Sequence, residues 1–127
     1  MGRGSEGLSR HHRAALSNLF LLYGPGTNLA HAGSIIFHSE CQVRYILGCL
    51  RELLVGNARA LECRTEVNED FNRRLDDALS KLVLSYGGER SWYKNSKGRV
   101  TATSPWRLVD YWRWTRAPDL GDYEWIA

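Results

Sequence analysis

The stretch LLYGPGTNLAHAGS, residues 21–34, holds the residue types best suited to chemistry in this chain. A short apolar run enters it, and a helical pattern begins at Ser34. Glycines let a backbone approach a ligand closely, and a helix start presents unpaired N–H groups with partial positive charge. An anion, or a carbonyl oxygen gaining negative charge, is stabilised at such a place. Two phosphate-binding patterns are missing. Gly24-Pro25-Gly26 runs on into Thr27-Asn28-Leu29 and so breaks GxGxxG, and no Gly-Lys-Ser/Thr follows a glycine loop.

Other candidates carry less. His31 and His38 lie about two helical turns apart and read as a loop histidine and a helix-surface histidine, so no metal site is assigned. His11 and His12 are adjacent and cannot point the same way. Nucleophile elbows, paired zinc motifs and a Ser-His-Asp order are absent, and no catalytic side chain is assigned. Trp106, Tyr111, Trp112 and Trp114 resemble a stacking platform, but at helical spacing they read better as core or interface.

The elements that must position the loop follow from periodicity. NLFLLYG, Asn18 to Gly24, is a continuous apolar run that suits a buried strand of a parallel sheet. A long helix is expected from Ser34, its cap, to Gly56-Asn57. Ile36, Val43, Leu47, Leu50 and Leu54 mark its apolar face, which Ile46 and Leu53 widen, and Glu40 with Arg44 forms an i,i+4 pair. RALECRT reads as a short strand or an extended link. A second helix follows, with Val67, Phe71, Leu75, Ala78, Leu79 and Leu82 on one stripe and Gly87-Gly88 as its stop. SWYKNSKGRVTAT suggests a hairpin turning at Ser96-Lys97-Gly98. The segment from Ser104, a possible N-cap, and Pro105 to Pro118 reads as a third, aromatic helix.

The totals set limits. A chain of 127 residues suits one domain. Net charge is +3 with the signs interspersed, which argues against a nucleic-acid arm or a polybasic membrane anchor. No apolar run reaches the length of a membrane span or signal. Cys41, Cys49 and Cys63 have no CxxC spacing and read as buried reduced thiols, from which a cytoplasmic setting is expected.

Several of these segments together resemble class B flavin monooxygenases of the Baeyer–Villiger type, in particular those similar to 4-hydroxyacetophenone monooxygenase. NLFLLYGPGTNLAHAGSIIFHSECQVRYI resembles the last flavin-contacting segment of that family. SWYKN, GRV and SPWRLVDYWRWTR resemble its C-terminal tail. The resemblance implies an α/β fold: part of a Rossmann-like FAD domain with one buried strand, a long helix and a second helix, then a C-terminal hairpin and aromatic helix. Residues 1–17 are expected to be poorly ordered, and 18–127 to form the C-terminal portion of the FAD domain plus tail. The implied ligand is FAD, contacted by Gly24, Thr27, Asn28, His31, Gly33, Ser34 and Ile35. NADPH and a ketone or heteroatom substrate are implied for the complete enzyme.

The family's two Rossmann motifs and the fingerprint between them are missing here. The chain therefore looks like the C-terminal piece of a monooxygenase. Its expected partners are a complementary chain carrying the Rossmann motifs, or a second copy of itself. The alternative is an inactive orphan segment that serves only as an interaction module.

Overall fold

The computed structural model describes residues 17–30, 33–83, 86 and 92–127. Expectations for residues 1–16, for His31 and for Gly87-Gly88 lie outside them. Ser17, the last residue of the segment expected to be poorly ordered, is exposed and donates its hydroxyl to Glu62.

The described residues form an α/β arrangement of three helices and two small sheets. β1 (Asn28–Leu29) pairs in parallel with β3 (Thr103–Ser104). β2 (Ala60–Cys63) pairs antiparallel with β4 (Tyr123–Ile126), so that Ala60 faces Ile126 and Cys63 faces Tyr123. Helix α1 (Ile35–Val55) starts on Ser34, whose hydroxyl accepts the Phe37 N–H. It ends with Asn57 in the left-handed region, and the Ala58 N–H returns to the Leu53 carbonyl. Glycine stood beside the right residue here: Gly56 stays helical and Asn57 makes the turn.

Leu19 to Tyr23 is not a strand. Asn18 and Tyr23 both adopt positive φ, which brackets the run with turns and prevents an extended path. Asn18 docks onto β2 by exchanging bonds with Leu61 and by donating its amide to the Arg59 carbonyl. Phe20 packs toward the core, while Leu21, Leu22 and Tyr23 are exposed. A buried parallel strand needs neighbours to pair with, and none lies beside this run among the described residues.

Two clusters fill the interior. Tyr45, Cys49 and Leu53 of α1 meet Leu61 and Cys63 of β2 and Tyr123 of β4. The hydroxyls of Tyr45 and Tyr123 are 2.8 Å apart inside it, and burial pushes both phenols well above their ordinary titration range. The second cluster gathers Phe71, Leu75 and Leu79 of α2 (Thr65–Ser80) with Val100. The expected stripe of α2 is thus its buried one. Val100 arrives on a minimal hairpin, a single bridge between Lys94 and Val100 closed by Gly98 at φ 76°. The Asn95 side chain fixes that turn by accepting the Lys97 and Arg99 N–H groups.

Helix α3 (Leu108–Trp114) is shorter than its sequence pattern. Ser104 is taken by the pairing with β1, so Arg107 occupies the cap position and Trp106 stays outside. Trp106 instead packs on Phe71 and Trp114 with ring centroids 5.6 and 5.3 Å apart. At the other end Thr115 donates its hydroxyl to the Tyr111 carbonyl, and the helix stops before Pro118.

The long helix buries a different face from the one its aliphatic residues mark. His38, Cys41, Gln42, Tyr45, Cys49 and Leu53 point inward. Ile36, Val43, Leu47, Leu50 and Leu54 form an exposed stripe, with Leu47 60% and Leu54 83% accessible. Glu40 and Arg44 do not pair; Arg44 faces the Trp112 ring at 5.9 Å. A contiguous exposed aliphatic stripe marks a surface suited to association. The isolated chain is therefore expected to self-associate at micromolar concentration. Leu47→Asp with Leu54→Asp should shift light scattering to the monomer mass while leaving the far-ultraviolet spectrum unchanged.

Candidate functional site

The glycine-rich loop is braced from within. Gly26 adopts φ 75°, a conformation open to glycine at little cost, and is buried. Thr27 is buried as well, and its hydroxyl donates to the Gly24 carbonyl. Asn28 donates its N–H to the Ala102 carbonyl, while its side-chain oxygen accepts the Tyr23 hydroxyl and the Leu29 N–H. Gln42 reaches up from α1 to accept the Tyr23 N–H at 2.9 Å. Thr27 and Asn28 therefore hold the turn and spend their side chains inside the loop.

Gly33, Ser34 and Ile35 are exposed, and the first turn of α1 contains no acidic residue. The partial positive charge at this helix start is left without a carboxylate of its own first turn. Gly33 matters here through packing. A Cβ at Gly33 would stand 2.5 Å from Cδ1 of Leu108, so the loop and α3 lie close because no side chain intervenes. Of the expected contacts, Gly24, Thr27 and Asn28 fall in the braced turn, and Gly33, Ser34 and Ile35 at the helix start. His31 lies outside the described residues.

His38 is the main departure from the sequence reading. It is buried, not on the helix surface, with 1% of its area exposed. Its ring stands edge-on to Tyr111 at 3.7 Å, and neither ring nitrogen has a hydrogen-bond partner. Burial lowers its pKa from 6.5 to about 4. Burial also raises the Tyr111 phenol, with the Gln42 side chain acting in the opposite direction. The signal that could have found this face was spacing: 38, 42, 45, 49 and 53 recur at helical intervals in His, Gln, Tyr, Cys and Leu. Aliphatic weight alone favoured the other side.

The three cysteines are buried and unbridged, as the sequence suggests. Burial pushes the Cys49 and Cys63 thiols up to about 12 and raises Cys41, which makes all three poor nucleophiles. No helix of the described residues is long and apolar enough to cross a membrane.

The sequence is similar to those of known proteins. Over most of its length the chain is similar to segments of proteins named monooxygenases, Baeyer–Villiger monooxygenases among them. It is 39% identical over 110 residues to the uncharacterized monooxygenase y4iD of Sinorhizobium fredii, a match covering 87% of this chain and 17% of that protein. It is 32% identical over 122 residues to a Baeyer–Villiger monooxygenase of Streptomyces coelicolor, covering 95% of this chain and 23% of the relative. It is also 32% identical over 98 residues to the FAD-binding monooxygenase ktnD of Aspergillus niger, covering 74% of this chain and 16% of that protein. The chain thus spans between 16% and 23% of the length of these relatives. No protein-family model and no solved structure matches it.

The buried imidazole sets a pH dependence. Unfolded His38 takes up a proton near pH 6.5, whereas the folded form resists until about 4. Between those values the unfolded state binds more protons, so stability falls as pH falls through the window and levels off below it. The full loss is about 3 kcal/mol. Urea midpoints measured from pH 7.5 to 4 should show this slope, and His38→Gln should flatten it.

Proposed function

We propose that this chain forms the C-terminal part of a Rossmann-like FAD domain in an FAD- and NADPH-dependent monooxygenase that oxygenates ketones or heteroatoms. Its role there is to supply the loop and helix start that lie against the flavin ring. One observation carries this reading: the exposed start of α1 leads directly into the bare aliphatic stripe Ile36–Leu54. A helix with one face on its own core and a second, aliphatic face in solvent is built to be covered on both sides. The relatives are several times longer than this chain, and their additional length supplies material to cover that stripe.

The residues fit the cofactor in a specific way. Gly33, Ser34 and Ile35 present the positive end of α1 to a ring that gains negative charge on reduction. Gly24, Thr27 and Asn28 set the turn that brings this end into place, and His31 is the remaining contact. FAD supplies the redox chemistry with dioxygen when bound. The chain's own part is to orient the ring, support its charge and wall the site. A cytoplasmic setting accords with the three unbridged thiols. The partner is the portion of a flavoprotein that carries the nucleotide-binding motifs, whether in the same polypeptide or a separate one. Relatives named as enzymes do not favour the inactive-module alternative.

The test is a graft. Residues 18–127 replace the homologous segment of the Streptomyces coelicolor relative, and bound FAD per protein and NADPH oxidation are measured. The graft should retain FAD. Gly33→Val within it should lose flavin with little change in far-ultraviolet signal, because the branched side chain meets Leu108 and shifts the loop. Lys97→Ala lies in the exposed turn and should stay within about 0.5 kcal/mol of the parent. Full flavin occupancy and turnover in Gly33→Val would overturn the assignment of the loop.

A further inference from the structure

A cleft of about 440 Å³ opens between α1 and the segment that follows α3. Its walls carry the guanidinium side chains Arg44, Arg51 and Arg116, one carboxylate, Glu52, and the apolar residues Leu47 and Pro118 among others. Arg44 and Arg51 are two turns apart on α1 and so share a face. Gly48 between them makes the cleft possible. A Cβ there would stand 2.7 Å from Cδ of Pro118, so the missing side chain lets the 116–118 segment close on α1. Arg116 and Arg44 both face the ring of Trp112, at 4.9 and 5.9 Å.

These arginines differ from six of the other seven among the described residues. Arg64, Arg73, Arg74, Arg99, Arg107 and Arg113 each sit on a carboxylate. Arg44, Arg51 and Arg116 make no such ion pair among the described residues, and, unlike the equally unpaired Arg59, they are brought to one concavity. Three guanidiniums against one carboxylate leave the lining with a net charge of +2. Like charges gathered without counter-ions repel, and the repulsion is relieved by a multivalent anion. A single carboxylate is satisfied by one arginine fork, whereas phosphate offers enough oxygens for several. The apolar floor adds a preference for an anion that carries a flat or greasy group.

We propose that this cleft is a binding site for a phosphate-class anion bearing an apolar or planar substituent, separate from the glycine-rich loop. Arg51 and Arg116 grip the phosphate from opposite walls, Arg44 adds charge from the Trp112 side, and Pro118 and Leu120, which also lines the cleft, receive the substituent. The site needs neither FAD nor a partner chain, so its test is independent of the monooxygenase reading.

The full chain carrying Leu54→Asp, a position outside the cleft that reduces self-association, is titrated with pyrophosphate, phenyl phosphate and acetate at constant ionic strength. Binding is followed by nuclear magnetic resonance at the Trp112 indole and the arginine Nε groups. Saturable shifts are expected for both phosphates, with acetate at least about tenfold weaker. Phenyl phosphate should bind more tightly than inorganic phosphate in a parallel titration. Arg51→Gln and Arg116→Gln should each weaken pyrophosphate at least about fivefold with the rest of the spectrum unchanged. Arg73→Gln, on α2, should not. Shifts that rise linearly and equally for all anions, or affinity unchanged in Arg51→Gln and Arg116→Gln, would overturn the proposal.

Discussion

The hydroxyls of Tyr45 and Tyr123 meet at 2.8 Å in the centre of the larger core cluster, and much of the fold depends on that contact. It ties the middle of α1 to the last strand, which in turn holds β2 through the β2–β4 pairing. Both hydroxyls are buried, so each supplies the polar partner the other requires. Once Tyr45 points inward, helical periodicity carries His38, Cys41, Gln42, Cys49 and Leu53 inward with it. The aliphatic residues on the opposite side are then committed to the outside. The exposed stripe is a geometric consequence of the Tyr45 contact.

That division of α1 links the fold to function. Inward, Gln42 fixes the Tyr23 backbone and so anchors the entry to the glycine-rich loop. Outward, the stripe asks for a covering surface. At the N-terminal end the two meet in Gly33, Ser34 and Ile35, exposed and free of first-turn carboxylates. The proposed flavin role draws on both features, with one side packed on the rest of a domain and the helix start addressed to the ring. Similarity to FAD-binding and Baeyer–Villiger monooxygenases gives this arrangement its context.

Much of this was legible in the sequence. Ser34 as cap, Gly56-Asn57 as stop, the buried stripe of α2 and the turn at Ser96–Gly98 all rest on local chemistry and hold. Errors came where local pattern met long-range demands. Leu19 to Tyr23 has strand composition, but a strand requires neighbours and none pairs with these residues among the described ones. Ser104-Pro105 is a good helix start, yet Ser104 pairs with Leu29 instead. The inward face of α1 went unread, and His38 was taken for a surface residue, because aliphatic residues were weighted above a His-Gln-Tyr-Cys series. Only the Tyr123 partner, 78 positions away, reveals the series as core. The strand Tyr123–Ile126 itself went unread for the same reason.

The central claim is that the α1 stripe is an interior surface of a complete flavoprotein. It is tested most directly by thiol labelling. The native cysteines are buried and their thiols raised, so a Leu47→Cys thiol is the reactive one on this chain. Iodoacetamide labelling of the peptide containing residue 47 is measured by mass spectrometry in the Leu47→Cys free chain, diluted below the concentration at which it self-associates, and in the same variant grafted into the Streptomyces coelicolor relative. The account predicts rapid labelling in the free chain and strong protection, by about a hundredfold or more, in the folded graft. Equal labelling rates in a folded, flavin-loaded graft would contradict it.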